Sequence, residues 1–184
     1  MPGILCWCIH QLPPYSLTLI VAFESLDLSE AFKSSDLHAV DMLPDTVHKL
    51  PQSERFAYAK LLAYMTRVDN ELTVEEMSMF EQRLGTALLS PKQRDMIRAS
   101  LKNPPTLEEC LNNLGDEAGR LALRDAVLMS ASDGTVDEDE REALEEIAEH
   151  LDLHPDAVKR LLAWTVEGYA WMQAGYDLLN DLSR

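Results

Sequence analysis

Cysteine is scarce in this 184-residue chain: Cys6, Cys8 and Cys110 are the full set. An odd number, two of them one residue apart, makes no disulfide framework, and reduced thiols in a cytoplasmic protein are the expectation. Cys6, Cys8 and His10 alternate as on a strand, but a structural zinc site takes four ligands and no fourth is evident. The seven glycines are scattered, with no G-x-G and no G-K-T, which excludes a glycine-rich phosphate loop. No apolar run approaches the roughly 20 residues of a spanning helix. Residues 17–23 are apolar but few, and no Lys or Arg precedes Lys33, so the chain reads as soluble and not exported. Bases are outnumbered 32 to 16, for a formal net charge of -16. Such a chain is repelled by nucleic acid and by anionic membranes; cations and protein partners with basic surfaces suit it better. No Ser-His-Asp or Cys-His order pairs a nucleophile with a base, and carboxylates are too numerous to single out an acid and a base. Nothing argues for an enzyme.

What is present is helical pattern. Residues 1–41 stand apart: Pro2, Pro13 and Pro14 mix with a short β-prone run and no sustained helical period. They read as an N-terminal extension, as sequence upstream of the true start, or as an extra element on the bundle. Residues 42–184 form one helical domain with enough chain to bury a core. Gln52 or Ser53 opens a helix to about Val68. Thr73 caps the next, with Glu76 three residues on: a capping box, in which each side chain bonds the other residue's amide. Ser90-Pro91 opens a third helix to about Leu101, with Met96, Ile97 and Leu101 inward. Thr106 with Glu109 repeats the box and opens a short helix through Leu114. A long helix over 117–132 carries Leu121, Leu128 and Ala131 on its core face, with Ala118 and Met129. Asp137 with Glu140 caps the next. Pro155 opens another, and a last segment over 166–182 carries Tyr169, Trp171 and Tyr176, expected in the core or on a closing lid.

Two turns resemble each other. Residues 133–140 read Asp-Gly-Thr-Val-Asp-Glu-Asp-Glu, and a fainter copy, Asp-Asn-Glu-Leu-Thr-Val-Glu-Glu, lies 64 residues upstream at 69–76. At that offset Met65/Met129, Asp69/Asp133, Glu76/Glu140 and Pro91/Pro155 are identical. The expected fold is all-α: a pseudo-symmetric bundle of seven to eight helices from two repeated helix–turn–helix units. Against a calcium loop, Gly134, Val136, Asp137 and Glu140 fit the second half of the pattern, while Met129 and Ala131 fall where the first ligands belong. Every residue of the motif also has a place in chain reversal and capping. The sharper reading is one site made by both copies. Asp69, Glu76, Asp133 and Glu140 would supply oxygen ligands suited to Ca2+, Mg2+ or Mn2+. The acids from Glu138 to Glu149 are a solvated helix face or a dock for a basic partner. His150 and His154 are expected at the surface.

The Asp133-Gly134-Thr135-Val136-Asp137 to Leu144 run, followed by Leu151-Asp152-Leu153, resembles the TerB-like domain family; the copy from Arg67 to Glu76 fits its first repeat. The resemblance covers roughly residues 52–182. It implies a helical bundle, a role in resistance to tellurite and other stresses, and a metal site at the acidic turns, carried by Asp69, Glu76, Asp133 and Glu140. Asn70 departs from it, standing where the second copy has Gly134. The resulting expectation is a non-enzymatic protein of stress or metal-ion response that binds a divalent cation. The alternative is a metal-free interaction scaffold that uses its acidic face.

Overall fold

The computed structural model describes residues 46–68 and 72–182. The extension over 1–41 and the residues Asp69 and Asn70 lie outside the described residues. Among those described there are seven α-helices and no strand. After a 3-10 turn at Val47–Lys49 come α1 (Gln52–Met65), α2 (Val74–Thr86), α3 (Pro91–Ser100), α4 (Leu107–Leu111), α5 (Asp116–Ser130), α6 (Glu138–His150) and α7 (Ala157–Leu182).

Local chemistry sets the helix starts. Complete capping boxes open α2 (Thr73/Glu76), α3 (Ser90/Gln93), α4 (Thr106/Glu109) and α6 (Asp137/Glu140). Each satisfies two amides that a helix start leaves without partners. Gly134 has φ +98°, a left-handed conformation that a side chain disfavours, and it turns the chain between α5 and α6.

Helices α1 and α5 pack against each other at the centre; α2, α3 and α4 lie on α1, and α2, α6 and α7 on α5. The central pair is therefore buried on several faces, with Tyr58, Leu61, Leu62 and Met65 of α1 and Leu123, Ala126, Val127 and Met129 of α5 in one core cluster. The outer helices contribute one stripe each: Phe80 and Leu84, Ile97, Leu144 and Ile147, Val158. Fully burying one such large apolar side chain is worth about 1.5–3 kcal/mol. At Gly119 the end of α6 comes so close that an added Cβ would lie 2.6 Å from Leu151 Cδ2.

Several expectations shift. Leu121 and Leu128 are only half-buried, because the core face of α5 is rotated toward Ala122, Asp125 and Ala126. Met96 is exposed, while Ile97 beside it is buried. The segments from Pro155 and over 166–182 are one helix, which neither Gly168 nor Gly175 interrupts. The aromatics are not core: Trp171 is 79% exposed and Tyr176 58%. The reason is length, since 26 residues of helix run about 39 Å while the 15 residues of α5 run about 22 Å, so α7 outruns the helix it lies on.

Candidate functional site

The α2 and α6 starts present the same local device. Glu76 Oε2 accepts from the Thr73 amide at 2.7 Å and from its hydroxyl at 2.9 Å, and the Glu76 amide donates back to Thr73 Oγ1 at 3.1 Å. Glu140 Oε2 accepts from the Asp137 amide at 3.1 Å, and its own amide donates to Asp137 Oδ1 at 2.8 Å. Both glutamates are 6% exposed, which is unusual for a carboxylate. In each the capping bond uses Oε2 and leaves Oε1 out of it.

The fold brings these two residues within electrostatic reach. The Glu140 carboxyl is pushed up to about 7, first by burial and also by the negative charges of Glu76 and Asp137. The Asp137 amide and the neighbouring Ser130 hydroxyl pull the other way, favouring the ionised form. Ser130 Oγ is itself buried, close to Glu140 but outside hydrogen-bond geometry with any protein group. A carboxyl poised near neutrality beside a second buried carboxylate and an unsatisfied hydroxyl can take up a proton or a cation.

The other residues expected at this site are placed differently. Asp133 is exposed, and its Oδ1 accepts from the Thr135 amide at 2.8 Å and the Thr135 hydroxyl at 3.0 Å, an Asx turn that shapes the joint. Asp69 lies outside the described residues. No group of three or more His, Cys, Asp or Glu gathers among the described residues. His150 and His154 are exposed, each hydrogen-bonded within its own stretch of chain.

A third buried carboxylate was not anticipated. Asp125 has no exposure; it accepts from the Tyr58 hydroxyl at 2.6 Å and from Arg124 Nε and Nη2 at 2.7 and 2.8 Å. Arg83 approaches from α2, with Nη1 at 3.7 Å. The cluster ties α1, α2 and α5 together through one negative charge with two cations beside it. Its sequence signal was spacing: Asp125 lies seven residues after Ala118 and four before Met129, on the face that the period assigns to the core.

No protein-family model, no curated protein and no solved structure matches the chain.

Proposed function

We propose that the protein is a cytoplasmic, non-enzymatic, TerB-like helical protein of stress, tellurite or metal-ion response. In this reading its paired turns form a joint that senses a divalent cation. The observation that carries it is the burial of both capping glutamates, Glu76 and Glu140, with the Ser130 hydroxyl beside Glu140 and the Glu76 charge near enough to raise it. Glu76 and Glu140 would hold the ion through oxygen, with Asp133 and Asp69 joining from the adjoining turns. An all-oxygen set suits Ca2+, Mg2+ or Mn2+.

The duplicated, pseudo-symmetric organisation belongs to the same proposal. It is supported by the helix bounds, since α2 and α6 begin and end at positions 64 residues apart. It is supported too by Leu88 and Asp152, which share that offset and the left-handed region, with φ 48° and 51°. Two related halves give a physical reason for two related glutamates to meet near one axis.

Calorimetric titration with calcium, magnesium and manganese tests the reading. Binding heat in the wild type, abolished in Glu76→Gln/Glu140→Gln, is the expected result; glutamine keeps the capping geometry. No heat with any of the three ions rejects it. The second reading, a metal-free scaffold, is favoured by the exposed acids of α6, where Glu142, Glu145, Glu146 and Glu149 face solvent.

A further inference from the structure

Helix α7 keeps an apolar face that the bundle does not cover. Every residue over 166–182 is exposed, and Trp171, Leu178 and Leu182 are 79%, 60% and 72% exposed. The spacing along this face is that of a coiled-coil seam. Trp164, Trp171 and Leu178 recur every seven residues, and Gly168 and Gly175 fall four residues after each tryptophan. A Cβ built at either glycine meets nothing within 4 Å, so the space beside each is open to a partner's side chain. Around Gly175 the side chains of Trp171, Met172, Tyr176 and Leu179 frame a hollow of about 530 Å³. The seam starts in a second hollow, of about 440 Å³, lined by Leu123, Leu153, Leu161 and Trp164.

The geometry points to a second copy of this chain as the occupant, with the two α7 helices packed antiparallel about a twofold axis between positions 169 and 170. That register sets Trp171 of each copy over Gly168 of the other, and Trp164 over Gly175. It also sends Leu178 and Leu182 of each copy to Leu161 and Ala157 of the other, two residues that line the second hollow. Large side chains thus meet holes on a surface that is its own complement, as a twofold interface requires.

Charge selects the antiparallel sense. The first turns of α7 carry Lys159 and Arg160, and its last turns carry Asp177 and Asp181. In this register the basic start of each helix lies beside the acidic end of its mate, at both ends of the seam. A parallel pair would set like charge against like. The exposed part of the Trp164, Trp171, Leu178 and Leu182 side chains is on the order of 500 Å² per copy, or about 1,000 Å² for the pair, the threshold for a specific interface.

Sedimentation equilibrium on the full chain tests this, with Lys159→Glu/Arg160→Glu and Asp177→Lys/Asp181→Lys variants measured alone and mixed. All four positions are exposed, so both variants should keep the wild-type far-ultraviolet circular dichroism. The wild type is expected to reach twice the 20.7 kDa chain mass as concentration rises. Each variant alone should self-associate about 30-fold or more weakly, and an equimolar mixture should recover the dimer, because only the mixed pair restores opposite charges at both ends. A wild type that stays monomeric up to its solubility limit overturns the proposal; hydrogen exchange protecting 166–182 in that monomer would assign the face to residues 1–45 of the same chain. A dimer that neither reversal weakens, or that mixing fails to restore, overturns it equally.

Discussion

The Tyr58 hydroxyl donates to Asp125 Oδ2 at 2.6 Å, in a core where neither residue has any exposure. Asp125 also holds Arg124 and stands near Arg83, so its charge is shared by groups from three helices. Removing the tyrosine hydroxyl loses one bond to a charged acceptor, whereas removing the carboxylate leaves two partly buried cations facing each other. We expect Tyr58→Phe to destabilise by about 1.5–3 kcal/mol and Asp125→Asn by about 3–5 kcal/mol. Urea unfolding of both singles and the double measures this. The double should lose less than the sum of the singles, since in Asp125→Asn the hydroxyl no longer donates to a charged acceptor.

Glu140 makes stability depend on pH in a direction unusual for a carboxyl. Its value in the folded protein, about 7, lies above the 4.5 of an unperturbed glutamate. Between those values the native state keeps a proton that the unfolded chain has released. The contribution is therefore complete below about pH 4.5 and is lost as pH rises through 7. Glutamine at this position removes the titration and keeps the cap, as Gln93 does opposite Ser90. Glu140→Gln should match the wild type near pH 4.5 and exceed it by about 1–2 kcal/mol at pH 8. Parallel stability curves for the two proteins from pH 4.5 to 8 would refute this.

The α5–α6 joint depends on backbone that only glycine adopts cheaply. With φ at +98°, Gly134→Ala should cost about 1–2 kcal/mol. A lower urea midpoint with an unchanged m value is the expected signature. Asp133→Ala removes an acceptor for the Thr135 amide and should cost about 1 kcal/mol by the same measurement.

The helix starts were legible in sequence because a capping box is local chemistry. Thr73/Glu76, Thr106/Glu109 and Asp137/Glu140 each close within four residues, so tertiary context has little chance to override them. The electrostatic influence of Glu76 on Glu140 depends on how α2 and α6 each pack on α5, which local sequence does not fix. Asp125 is not legible in the sequence because the helical period is carried by apolar residues, although the same spacing takes a carboxylate into the core. The last helix misled for a different reason. An apolar stripe looks the same whether it is covered by its own bundle or by another molecule. Gly168 and Gly175 each cost about 1 kcal/mol against alanine in a helix, yet α7 runs unbroken through both.

The proposed cation binding at the paired turns would have to compete with the Glu140 proton. A carboxyl pushed up to about 7 is mostly protonated at pH 6 and mostly ionised at pH 8. A divalent ion held by Glu76 and Glu140 therefore displaces a proton below pH 7 and none well above it. Affinity should fall by about tenfold per pH unit below 7 and level off above. Titrations at pH 6 in two buffers of different ionisation enthalpy should give different apparent heats, and the difference should vanish at pH 8. Glu140→Gln, which has no proton to release, should bind weakly with an affinity flat across this range. Wild-type affinity that is equally flat would place the ion elsewhere.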